Sequence, residues 1–365
     1  MTGEISSLHK NTVRVCPQKL QAHTEAIFQA CGVPPEEAKQ GADVLLYADL
    51  HGIESHGVSI KLQDYVNKYQ AGVLNPTPRF TIVKEAPSTA VVDGDRGLGL
   101  MVAQQAMRVA IEKASRTGAG VVSVRNAGHL GAIGYYARLA AQRDMIGWCM
   151  AVSHAPSSVL PTWGAEPLLG TNPFAFAAPS NEETPFVYDA ALSVVAGNKI
   201  GMMKKVNKPV PGGWVADPDG TPNMVGGTVE DFTVERKPRQ LPLGSTREMG
   251  SHKGFSLAVM VDILCGQLSF APGFNALAPD RGGHFVAAYD VSAFGDVDAF
   301  KRNMDGMLKR YRESTPMAGQ DRVYYAGLPE SEIAKDRVEN GIPLLPEVLD
   351  WFRATCAEFS IPFDL

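Results

Sequence analysis

No apolar run in this chain approaches the ~20 residues that cross a bilayer, so a membrane-spanning helix is not expected. There is no basic excess either. Lys and Arg number 34 against 39 Asp and Glu, a net charge of −5, which leaves no basic face or stripe for a nucleic-acid partner. Cysteine is scarce: Cys16, Cys31, Cys149, Cys265 and Cys356 are scattered, odd in number and never spaced as a zinc or redox pair. Four lie in apolar contexts where cysteine acts as a small hydrophobe, which points to a reducing, cytoplasmic compartment. No His-Glu-x-x-His motif occurs, and His51 and His56 are five apart instead of the four of a helical metal pair, so no catalytic metal is expected. Met1 to Arg14 is polar, lacks the apolar stretch of a secretory signal and reads as a frayed leader. Internal repeats and low-complexity segments are also missing.

What is present is ordinary for a globular protein: 45% hydrophobic and 20% charged residues over 365 positions, enough chain for two or three lobes. The first third reads helical. Pro17 to Cys31 has helical apolar spacing closed by Gly32; Pro34-Pro35-Glu36-Glu37 starts a second helix through Leu50, and a third runs from Val58 to Tyr69. Strands then alternate with helices: Phe80 to Val83, Thr89 to Asp93, a helix from Leu100 to Arg116, Gly120 to Val124, a helix from Ile133 to Arg143, and Ile146 to Val152. Short strands follow at Phe174 to Ala178 and Phe186 to Asp189. Gly201 to Gly227 reads as surface connection with Trp214 packed down, Lys253 to Leu268 as an apolar helix, and Phe285 to Val291 as a strand. The pattern predicts a mixed α/β protein with a helical N-terminal lobe.

Asp93-Gly94-Asp95-Arg96-Gly97-Leu98-Gly99 follows a strand and opens a helix, as a dinucleotide-binding loop would. The third glycine position holds Val102, and the next strand ends at Arg125-Asn126 with no acid for a ribose hydroxyl. A plain turn accounts for these glycines better.

Three other segments carry the chemistry: Ala48-Asp49-Leu50-His51-Gly52-Ile53-Glu54-Ser55-His56-Gly57, Asn126-Ala127-Gly128-His129-Leu130-Gly131-Ala132-Ile133-Gly134, and Gly170-Thr171-Asn172-Pro173-Phe174. Two place a histidine beside glycines at the end of an element, where a proton-transfer group reaches a ligand. Residue chemistry alone leaves a capped helix start standing beside a catalytic role for His56. Together the segments resemble the type 2 malate/L-lactate dehydrogenase family, which also holds sulfolactate and ureidoglycolate dehydrogenases and cyclic-imine reductases. The resemblance runs from about residue 17 to about residue 350.

That resemblance implies a mainly antiparallel nucleotide-binding sheet, unlike a doubly wound Rossmann fold. It implies a helical lobe of residues 1–120 with 280–365 for substrate and dimerisation, and an NAD(P)-binding domain at 121–279. The expected reaction is hydride transfer between NAD or NADP and a small-molecule substrate, interconverting a 2-oxo acid and a 2-hydroxy acid, in a homodimer. His56 and His129 match the family's acid/base histidines, with His56 ranked first, Ser55 as its orienter and Asp189 as a relay carboxylate. Ser153, Thr171, Asn172, Asp189, Ala190, Ala191, His252, Lys253 and Gly327 match cofactor-contacting positions; Thr171 also matches a substrate position. One position departs from the family: Ile60 stands where many members carry a carboxylate-clamping arginine. An apolar side chain cannot replace a bidentate guanidinium, which leaves Lys61 or Arg125 as the substrate cation. It also keeps a cyclic-imine reductase open as the alternative reading, with a non-catalytic nucleotide-binding relative as the second.

Overall fold

Prolines start the helical lobe. After β1 (Val13–Val15), Pro17 opens α1 (Pro17–Ala30) and Pro35 opens α2 (Pro35–Leu50), each at a first-turn position whose amide has no partner within the helix. Glu36 and Glu37 sit in the first turn of α2, at the positive end of its dipole. α3 (Val58–Gln70) buries Leu62, Tyr65, Val66 and Tyr69 along one face. The computed structural model describes residues 11–152, 157–205, 208–228, 233–234, 237–270 and 282–365. Ser153, expected at the cofactor, lies outside them, as do residues 1–10; Val13 and Arg14, expected as part of a frayed leader, instead belong to β1 and pair with β13 (Ile342–Leu344).

The next elements build a sheet: β2 (Thr81–Glu85), β3 (Thr89–Asp93), α4 (Gly99–Thr117), β4 (Ala119–Ala127), α5 (Gly134–Ala141), β5 (Met145–Val152), β6 (Phe174–Ala178) and β7 (Phe186–Ala190). α6 (Gly197–Lys205) and two small hairpins follow, β8 (Val210–Pro211) with β9 (Gly226–Gly227) and β10 (Thr233–Val234) with β11 (Lys237–Pro238). α7 (Ser251–Asp262) continues into a π-helical turn, Ile263–Gln267. The chain ends with β12 (Gly282–Asp290), α8 (Val297–Arg312), α9 (Leu328–Asn340), β13 (Ile342–Leu344), which pairs with β1, and α10 (Pro346–Glu358).

The seven-stranded sheet has the order β2-β3-β4-β12-β5-β6-β7. Only β3 and β4 run parallel, joined by α4; every other neighbouring pair is antiparallel. This is the mixed, mainly antiparallel sheet expected, and a doubly wound parallel sheet is ruled out. β12 lies between β4 and β5, and its alternation serves two cores. Val286 and Ala288 join the main cluster, which extends through α1 to α5 and on to Phe352 and Cys356 of α10. Phe285 and Ala287 face the other way, onto Ala258, Val261 and Cys265. The expected surface connection at 201–227 is partly structured, with Trp214 packed beside Val195, Ile200, Val210 and Val215. Among the described residues no helix is long and apolar enough to cross a membrane, and no His/Cys/Asp/Glu group is placed to hold a metal ion.

Candidate active site

The turn from α2 to α3 is braced from below. Asp49 is fully buried, and its Oδ2 accepts the Val58 amide at 2.8 Å, so one carboxylate ties both ends of the turn together. A Cβ on Gly57 would lie 1.9 Å from Asp49 Oδ1; only glycine passes the carboxylate there. Arg337 of α9 reaches the same turn, donating to the Asp49 carbonyl oxygen and to the Glu54 carboxylate, with both side chains of the ion pair buried. Asn198 of α6 donates to the Ser55 carbonyl at 3.0 Å.

Burial pushes the Asp49 carboxyl up to about 7, opposed in part by the Val58 amide. A carboxyl raised above its unfolded value holds a proton that the unfolded chain releases, so its contribution is full in acid and is lost as pH rises through about 7. Asp49→Asn cannot ionise. It is therefore expected to lower the melting temperature less at about pH 8 than at about pH 5; a deficit that grows with pH in thermal unfolding would contradict the sign.

The second histidine sits just beyond β4. The glycine turn 94–99, which is not among the residues lining the cavity below, supports this loop: Gly128 N donates to Gly97 O at 2.8 Å. A Cβ on Gly99 would meet the carbonyl oxygens of Gly128 and His129 at 2.3 and 2.7 Å. From β12, the buried His284 donates through Nε2 to Gly128 O at 3.0 Å. His129 Nδ1 is 2.6 Å from the Tyr65 hydroxyl of α3 and accepts the Gly131 amide at 3.1 Å.

The two motif histidines converge. Their rings lie 5.6 Å apart at 12°, nearly parallel, with Ser55 Oγ 2.9 Å from His56 Nδ1. They form one wall of a cavity of about 750 Å³, which Ser55, Lys61 and Thr171 also line, together with Asp189, Ala190, Ala191 and Gly327. The surrounding protein, reinforced by the Lys61 ammonium, lowers His56 to about 4. Burial lowers His129 well below the usual imidazole range, with Lys61, His56, Lys68 and His284 adding to it. Both rings are therefore neutral at neutral pH.

Of the other expected site residues, some reach the cavity and some do not. Asp189 lines the cavity, but its Oδ2 accepts the Gly134 amide at 2.7 Å, at the first turn of α5, and no hydrogen bond joins it to either histidine. Burial raises it to about 6, opposed by the Gly134 and Ile133 amides and reinforced by Glu330. Asn172 is buried and donates to Ala258 O at 2.8 Å, tying its loop to α7. Arg125 pairs with Asp93 at 3.0 Å, and neither it nor His252 or Lys253 is among the cavity-lining residues. Sequence reasoning passed over Tyr65, His284, Asn198 and the Glu54–Arg337 pair. Tyr65 carries one signal, its i, i+4 spacing from Lys61 on α3; the others are tertiary contacts.

A family model described as malate/L-lactate dehydrogenase matches residues 15–353. Malate dehydrogenase of Pyrococcus abyssi is 38% identical over 347 residues, 93% of each chain. L-sulfolactate dehydrogenase of Methanocaldococcus jannaschii is 33% identical over 343 residues, 92% of this chain and 94% of that one. The crystal structure of malate dehydrogenase from Entamoeba histolytica matches with a TM-score of 0.92 at 31% identity, covering 97% of this chain and 100% of the other. With a family match across nearly its whole length and relatives of more than 30% identity over more than nine-tenths of it, the chain belongs to the malate/L-lactate dehydrogenase family of oxidoreductases.

Proposed function

We propose that the chain is an NAD(P)-dependent 2-hydroxy-acid dehydrogenase with a histidine as acid/base. The observation that carries the reading is the pair of near-parallel, neutral imidazoles on the wall of one large cavity. The cavity suits a dinucleotide with its substrate: its volume falls within the roughly 300–1,000 Å³ of ligand sites, and small residues line it beside the polar ones. Thr171, Asp189, Ala190, Ala191 and Gly327 would hold the cofactor. A bound nicotinamide would exchange the hydride with the substrate carbon.

The chain's own residues do the rest. A neutral imidazole takes the hydroxyl proton in the oxidising direction and returns it in the reducing one. Lys61 adds to the burial that depresses His56, so a substrate carboxylate paired with it offsets that added part and eases protonation of the ring. Lys61 thus stands in for the arginine that Ile60 replaces. Asp189 fixes the first turn of α5 along the cavity wall. The homodimer that the resemblance implies goes with this reading. Ile60, where the resemblance expects a carboxylate-clamping arginine, keeps one alternative open, reduction of a cyclic imino acid at the same site.

The test is consumption of NADH and NADPH, followed by absorbance, against pyruvate, oxaloacetate, longer 2-oxo acids and cyclic imino acids. Turnover of the 2-oxo acids is expected. Turnover of cyclic imines alone would transfer the site to the second reading, and cofactor binding with no turnover across the panel would sink both.

A further inference from the structure

We infer that the two histidines divide the work: His56 exchanges the proton with the substrate oxygen, while His129 stays neutral and holds that oxygen with a hydrogen bond from Nε2. The inference rests on the proposed function and assigns roles within it.

The asymmetry lies in the partners of Nδ1. A backbone N–H only donates, and the Gly131 amide points at His129 Nδ1 from 3.1 Å. That nitrogen must offer its lone pair, so the neutral ring carries its proton on Nε2. The Tyr65 hydroxyl, 2.6 Å from the same atom, then serves as a second donor. Protonating His129 would set an N–H against the Gly131 N–H. A neutral Nε2–H ring has no lone pair there to take a proton, but it has a donor for a carbonyl or alkoxide oxygen. His284 shows the same locked state one layer back, with Nε2 donating to Gly128 O.

His56 is built differently. Its Nδ1 faces the Ser55 hydroxyl at 2.9 Å, a group that donates or accepts as required. With Nδ1–H donating to Ser55, Nε2 is a base. After it takes a proton, the imidazolium keeps the Ser55 contact unchanged. In the oxidising direction the substrate O–H bond breaks and its proton goes to His56 Nε2. The electron pair left on oxygen closes the carbonyl, a bound dinucleotide being the group that would accept the hydride, and His56 then releases the proton to water. In reduction each transfer reverses.

The surroundings favour the same division. Burial opposes a positive charge on both rings; Lys61 and Lys68 of α3, His284 of β12 and His56 itself add to it at His129, whereas Lys61 adds to it at His56. Asp189 of β7 lines the same cavity but bonds the start of α5.

Two measurements decide it. In the unmutated protein, ¹⁵N NMR of the histidine rings is expected to show His129 protonated at Nε2 and bare at Nδ1 from mildly acid to alkaline pH. Glutamine presents an amide N–H near the place of Nε2 but exchanges no proton. His129→Gln should therefore keep turnover within about tenfold and retain the acid limb of the kcat/KM profile, whereas His129→Ala falls by about 10²–10³. His56→Gln should fall by about 10²–10⁴ and lose that limb. Doubly protonated His129 near neutrality, or an acid limb that vanishes with His129→Gln and survives His56→Gln, would overturn the assignment. Normal turnover in both glutamine variants would instead remove the acid/base reading on which the assignment rests.

Discussion

Arg337→Met is expected to cost about 3–5 kcal/mol of folding stability, because it strips the partner from a buried carboxylate and a buried carbonyl together. Glu54 is only 5% exposed and Arg337 only 2%. A methionine fills the volume but leaves Glu54 either charged without its guanidinium or protonated at a cost. The damage lands on the Ser55–His56 turn, since Asp49 and Glu54 flank it, so turnover falls with stability. Denaturant unfolding checks the first effect. The double variant Glu54→Gln/Arg337→Met separates the causes. With no charge left to bury, it should recover part of the loss; a double variant less stable than Arg337→Met would show that the ion pair is not the source.

Gly99→Ala carries the second large effect, from a residue outside the cavity lining. The new Cβ would meet two backbone oxygens of the His129 loop, and backbone has no rotamer by which to yield. Overpacking of this kind costs about 1–3 kcal/mol. The functional loss is larger in proportion, since a catalytic group displaced by about 1 Å forfeits on the order of 10²-fold in rate. Steady-state kinetics beside thermal unfolding reads both; full turnover at reduced stability would mean that the His129 loop does not depend on Gly99.

The glycine turn shows how far local sequence reaches. Its spacing argues against a phosphate loop, and it stands apart from the cavity, but nothing local says that it props up a histidine thirty residues on. The strand alternation and helix starts are legible because each depends on near neighbours, and the elements fall close to the expected ranges. The convergence of His56 and His129 follows from the motif resemblance, and their rings meet at 5.6 Å. Arg125 is the opposite case: a cation at a strand end reads as available, yet parallel pairing of β3 with β4 sets Asp93 directly beside it. Asn172, a polar residue in a motif, is consumed in anchoring α7. Glu54 and Arg337 are 283 positions apart, and no periodicity links them. Lys61 follows Ile60 by one position, about 100° around a helix, and it lines the cavity because the packing of α3 decides which side faces it.

The central place of β12 bears on how this protein comes off the ribosome. β4 and β5 are synthesised well over a hundred residues before the strand that must lie between them, so each waits with an unsatisfied edge. Nascent chains fold from the N-terminus, and open strand edges recruit whatever strand arrives first. A chain halted before Gly282 would leave the two halves of the sheet unjoined and the Gly128 carbonyl without His284 beneath it. Activity should therefore emerge only with the final stretch of the chain, and slow translation or truncation there should favour aggregation over a partly active product.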